Sequence, residues 1–203
     1  MSHPDIISRM HYRRWLGGAA LLLVSACMLP ALLAGGNDAA RLLDAVRADR
    51  ADLVRQWVAQ GVDINATEPG DGSALIVASR SGNLAMVDVL IALGADVNRA
   101  SHGDGTPLIA AAGAGHVAVI ERLLAKGAKV NLAAADDETA LIAAVRGNQV
   151  QAVESLIRHG ADVNLGMLAN GTQWRTPLNQ ARDTTIRNYL ADRGATRDGT
   201  RRR

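Results

Sequence analysis

The sequence predicts an all-α solenoid, in which short helix–turn–helix units stack side by side and β-turn loops project between them. Three observations carry that expectation. Asn65, Asn98, Asn131 and Asn164 recur every 33 residues, as do Gly61, Gly94, Gly127 and Gly160. Apolar residues between these landmarks fall at helical spacing. The 203 residues include no Phe, three Trp and two Tyr, so Ala, Leu and Val must form the core, as suits close contact of slender helices.

Residues 1–36 precede the repeats. Residues 16–34, LGGAALLLVSACMLPALLA, form an uncharged apolar run behind Arg9, Arg13 and Arg14, and GGND follows. A basic flank, an apolar stretch and a small-residue exit are the parts of a secretory signal. The run is also near the length that crosses a bilayer. The arginines should stay cytoplasmic, which directs everything after Gly36 outward. Three outcomes are open: an anchor retained in the inner membrane, cleavage near Gly36, or lipidation at Cys27 within Val24-Ser25-Ala26-Cys27. The expected location is the periplasm, with residues 16–34 inserted in the inner membrane or processed there. Cys27 is the sole cysteine, so neither an intramolecular disulfide nor a cysteine-based zinc site is available.

Residues 37–196 divide into units at about 37–69, 70–102, 103–135, 136–168 and 169–196. The three regular copies read DGSALIVASRSGNLAMVDVLIALGADVN from Asp71, DGTPLIAAAGAGHVAVIERLLAKGAKVN from Asp104 and DETALIAAVRGNQVQAVESLIRHGADVN from Asp137. In the third unit Thr106 caps a helix with Pro107 at its first position, where a missing N–H costs nothing. Leu108, Ala111 and Ala112 line one face. Gly115 permits the reversal into a second helix striped by Val117, Ile120, Leu123 and Leu124. Trp57 occupies the slot of Leu90 and Leu123 and is expected in the core. Units that cannot bury their apolar faces alone must stack, and the end copies must be altered to stay soluble. The first and last copies are the degenerate ones. Residues 197–203 form a basic tail, expected to be free.

Thr106-Pro107-Leu108, Gly115-His116 and Gly94-Ala95-Asp96-Val97-Asn98 closely resemble the ankyrin repeat family, over residues 37–196. The resemblance implies an L-shaped stack with finger-like turns and a protein-binding concave face formed by the turn tips and first helices. Ile76, Ile109 and Ile142 depart from it, standing where the family usually has His. The Gly-Asp-Gly turns at 70–72 and 103–105 also shift the finger, a form similar to that of exported bacterial members.

Other chemistry finds little purchase. GDGTPLIAAAGAGHV, residues 103–117, is glycine-rich, but no Lys-Ser/Thr follows its glycines and Gly113-Ala114-Gly115 lacks the third glycine of a dinucleotide loop. No cofactor is implied. His102, His116 and His159 stand at unrelated places in the repeat, so no metal site is expected. Asp136, Asp137 and Glu138 lack the spacing of a calcium loop. Ser73, Ser79, Ser81 and Ser101 have no matching base, so a small hydrolase on a repeat scaffold lacks its nucleophile set. Residues 37–196 hold 15 basic and 18 acidic residues, a balance that argues against nucleic acid.

One recurrence points to a partner. Arg47, Arg80 and Arg146 share one slot, the end of a first helix, and Gly113 interrupts the series. The resemblance places that slot on the concave side, with Ser81, Ala114 and Gly147 beside it. The functional expectation is an arginine ladder gripping acidic groups of a protein; the alternative is solvated helix-end arginines that complement the dipole. Glu68, His102 and Asp136 at turn tips and Trp174 in the longer final turn complete the candidate contacts, Trp174 serving either as an anchor or as a cover for the stack's end. The reading is a monomeric, non-catalytic protein-binding module. A regulatory or inhibitory subunit of a periplasmic or membrane enzyme is the alternative.

Overall fold

A computed structural model describes residues 38–134, 138–169 and 173–201. The 16–34 segment, Cys27 and Asp136 lie outside the described residues. Among the described residues no helix is long and apolar enough to cross a membrane.

The first unit pairs α1 (Asp38–Arg47) with α2 (Ala51–Ala59). The second begins with a small antiparallel ribbon, β1 (Thr67–Glu68) against β2 (Gly72–Ser73), and continues as α3 (Ala74–Ser81) and α4 (Leu84–Ala92). The third holds α5 (Pro107–Ala114) and α6 (Val117–Ala125), and the fourth α7 (Ala140–Arg146) and α8 (Val150–Arg158). In the last, β3 (Leu165–Ala169) and β4 (Gln173–Arg175) precede α9 (Pro177–Gln180) and α10 (Thr184–Ala191), and β5 (Thr200–Arg201) follows them.

Each start and stop has a local cause. The hydroxyls of Ser73, Thr106, Thr139 and Thr176 accept the N–H of Ile76, Ile109, Ile142 and Asn179 at 3.4, 3.2, 3.3 and 3.1 Å. The reversal between a unit's two helices falls on Asp49, Gly82, Gly115 and Asn148, with φ of 54°, 74°, 81° and 56°. Only residues that tolerate the left-handed region fill that slot, and Asn and Asp are the side chains that do so most readily.

Stacking proceeds in two rows. First helices contact in the order α1, α3, α5, α7, α9, and second helices in the order α4, α6, α8, α10. Leu42, Leu75, Leu108 and Leu141, one in each of the first four units, are buried between them, as are Ala78, Ala111, Ala112 and Ala144. These small side chains let neighbouring helices approach closely. Trp57 is only partly buried, although Leu90 and Leu123 in its slot are fully enclosed. It belongs to the terminal unit, which has a stacked neighbour on one side only.

The 33-residue asparagine signature is a chain of bonds between units. The Oδ1 atoms of Asn65, Asn98, Asn131 and Asn164 accept the N–H of Asp96, Lys129, Asp162 and Thr196 at 2.8, 2.8, 2.9 and 2.7 Å. The amides of Asn98, Asn131 and Asn164 donate to the carbonyls of Gly127, Gly160 and Gly194 at 3.1, 3.2 and 2.9 Å. Each of these three thus satisfies a donor and an acceptor of the next unit's loop, which neither Asp nor Leu of similar size could do.

The C-terminal unit differs most from the sequence expectation. Its extra residues form the β3–β4 hairpin, with Leu168 opposite Trp174, and β5 adds to β3 in parallel, Leu165 opposite Thr200. The part of the expected free tail that reaches Arg201 is therefore tied down as a third strand. The fold remains mostly helical, with two small sheets added at loops.

Candidate interaction face

The recurring slot at the end of the first helices brings Arg47, Arg80 and Arg146 into one line, each with an acid of a turn. Arg47 Nη2 lies 2.6 Å from Asp71, and its Nη1 lies 3.1 Å from Asp44. Arg80 Nη2 lies 3.0 Å from Asp104 Oδ1. Arg146 Nη1 lies 2.7 Å from Glu138, which Arg175 also approaches at 3.8 Å. The hydrogen bond with Asp71 raises the pKa of Arg47 above its ordinary value.

Arg47 and Asp71 are about equally exposed, whereas the members of the other two pairs are not. The arginine side chains are 43–46 % exposed, whereas Asp104 is 6 % and Glu138 15 % exposed. In the second and third of these pairs the carboxylate stands behind and the guanidinium in front. The front still presents N–H donors even though the charges are balanced. One oxygen of Asp104, Oδ2, is buried without a hydrogen-bond partner. A shallow concavity lined by Arg47, Asp71, Val77, Arg80 and Ser81 opens between the first two units.

The gap in the ladder has its own geometry. Gly113 is partly exposed, and a Cβ there would sit 3.7 Å from Ala143 Cβ in ordinary contact. A Cβ on Gly147, by contrast, would collide with the Gly113 carbonyl oxygen. At their C-terminal ends α5 and α7 therefore meet with almost no side chain between them, and the middle of the ladder is bare backbone beside the partly exposed Ala114.

The remaining candidates do not converge into one cluster. The Ser81 hydroxyl donates to Ala78 O at 3.0 Å on its own helix. Glu68 lies in β1 opposite Gly72, and His102 is exposed on the next tip. Trp174 belongs to β4, with its ring over Gly166 and its Nε1 donating to Asp198 O at 2.7 Å. It binds its own chain's tail. His116 is structural: its Nε2 lies 3.1 Å from Arg80 O and its ring covers Gly82. His159 Nδ1 lies 2.8 Å from Ser155 O. Among the described residues no group of three His, Cys, Asp or Glu could hold a metal ion.

The shared slot of the arginines is visible in the sequence, whereas their acids were not among the expected contacts. The signal was present, because Asp71 and Asp104 each stand 24 residues after Arg47 and Arg80. Glu138 could not be found that way, since it precedes Arg146 in its own unit.

The architecture is thus a helical-repeat solenoid with one face of first helices and turns. A family model for ankyrin repeats matches three copies over residues 42–134, and a second for the ankyrin repeat matches residues 136–166. The chain belongs to the ankyrin repeat family, and as such it is a protein–protein interaction module. The final unit, with its strand hairpin, lies largely beyond both matches. No curated protein matches the chain.

Proposed function

We propose that this protein is exported to the periplasm and binds a protein partner, without catalysis, through the concave face formed by its first helices and turns. The observation that carries the reading is the unequal exposure within the ion pairs. Arg80 and Arg146 stand in front of Asp104 and Glu138, so a partner's carboxylates or carbonyls meet donors whose charge is already balanced. Such a surface favours hydrogen bonding over bulk attraction of anions. Gly113 and Ala114 leave room for a partner side chain between the two arginines. The family's general lack of catalysis supports the non-enzymatic part. Export rests on Arg9, Arg13 and Arg14 ahead of the apolar 16–34 run, with that run either retained in the inner membrane or processed.

The test is affinity capture from a cell-envelope extract with wild-type protein and with Arg47→Gln/Arg80→Gln/Arg146→Gln as baits. Glutamine is preferred to glutamate, which would repel Asp71, Asp104 and Glu138 and confound binding with folding. The reading requires a specific partner on the wild type that is depleted at least tenfold on a folded triple variant. Equal recovery by both baits would remove the arginines from the interface.

A further inference from the structure

Charge is graded along the chain. Residues 37–174 hold 11 basic and 16 acidic residues, a net −5, whereas residues 175–203 hold eight arginines and three aspartates, a net +5. The basic end is folded against the last unit. Thr176 Oγ1 and Asn179 Nδ2 both donate to Arg197 O, at 3.1 and 3.4 Å, and Trp174 Nε1 donates to the next carbonyl, Asp198 O, at 2.7 Å. These bonds hold Arg197 at a cleft that it lines together with Arg187, Asn188, Leu178, Ala181 and Ala191.

The polar lining of this cleft is one-sided. No carboxylate lines it: its polar side chains are Arg187, Arg197, Asn188 and Asn179. Asn179 commits its amide to the carbonyls of Trp174 and Arg197. Arg187 Nη2 donates to Ala181 O at 2.9 Å and to Arg182 O at 3.3 Å, which fixes that corner of the guanidinium and leaves Nε and Nη1 available. Among the described residues neither Arg187 nor Arg197 has a carboxylate within 4 Å, in contrast to Arg47, Arg80 and Arg146, and the Asn188 amide has no hydrogen-bond partner. The Ile186 N–H, and to a smaller extent the charge of Arg187, lower the pKa of Asp183, but its Oδ1 is committed to the N–H groups of Thr185 and Ile186.

Two guanidiniums and an amide at one cleft, with no carboxylate in its lining, are a donor set suited to an oxyanion. We propose that this cleft binds a phosphate group. A carboxylate would occupy one guanidinium fork, whereas the three or four oxygens of a phosphate can engage both arginines and Asn188 together. The phosphate has two sources with the same chemistry, free phosphate and the phosphodiester of a lipid headgroup. The site is independent of the concave-face reading.

The test is a chemical-shift titration of the full-length protein in detergent, following the Asn188 amide and the arginine Nε–H signals. Inorganic phosphate is compared with chloride at equal ionic strength. The site predicts a saturable phosphate response, absent with chloride and at least tenfold weaker in Arg187→Gln and in Arg197→Gln. Arg197→Gln guards against a folding artefact, because the Arg197 side chain makes no bond to the described residues. Glycerophosphoglycerol, a headgroup fragment, then separates the sources. Binding as tight as that of inorganic phosphate assigns the site to lipid headgroups, and binding of inorganic phosphate alone assigns it to the free ion. A linear, chloride-like response, or a saturable one unchanged in either variant, overturns the proposal.

Discussion

Asn131 shows at the scale of one residue why a strict period existed to be read. Its amide joins two units through Asp162 N–H and Gly160 O, so truncation strands a donor and an acceptor at once. Asn131→Ala should cost about 0.5–1.5 kcal/mol, the net worth of a hydrogen bond whose stranded groups water can reach, measured by urea unfolding. Glycines separate in the same way. Gly127 has φ 89°, and a Cβ added to it would meet nothing within 4 Å, so Gly127→Ala should cost only the backbone strain, roughly 1 kcal/mol. Gly147→Ala meets the Gly113 carbonyl and should cost more, about 1–3 kcal/mol for an overpacked contact. A larger loss at Gly127 than at Gly147 would refute that assignment. Period alone could rank neither glycine: Gly127 recurs and Gly147 stands in the slot of Ser81 and Ala114, and neither fact reports what surrounds the position.

The legible elements were those whose signals are local. Thr106 at the start of α5 and Gly115 after it follow from capping and backbone preference, and the structure places both as expected. Thr106→Ala should therefore cost about 1 kcal/mol, read from the same unfolding curves. The α10 cap adds a dependence on pH. Hydrogen bonds from the Ile186 and Thr185 N–H groups hold the Asp183 carboxyl below its ordinary pKa. A depressed carboxyl stabilises the fold above its unfolded pKa, and that contribution fades as pH falls through the lower folded value. Asp183→Asn keeps an acceptor without a titrating group, so its stability should decline less between about pH 5 and about pH 2 than that of the wild type. Parallel acid limbs in the two proteins would contradict this. The β3–β4–β5 sheet was not legible for the opposite reason. Its third strand joins Thr200 to Leu165 across a whole unit, and a run of arginines carries no strand pattern.

Taken as a whole, the stack depends on nearest neighbours, since each unit buries its Leu and Ala faces only against the next. The arginine slot was partly legible: three arginines in register were visible in the sequence, and a 24-residue offset marks Asp71 and Asp104, while Glu138 is brought to Arg146 only by the fold of its own unit. The most direct measurement of the central claim is hydrogen–deuterium exchange of the protein alone and in its captured complex. Binding through the concave face predicts slowed exchange in the turns before α3, α5 and α7 and in the last turn of each of those helices. Protection confined to α4, α6 and α8, with the arginine-bearing ends unchanged, would contradict it.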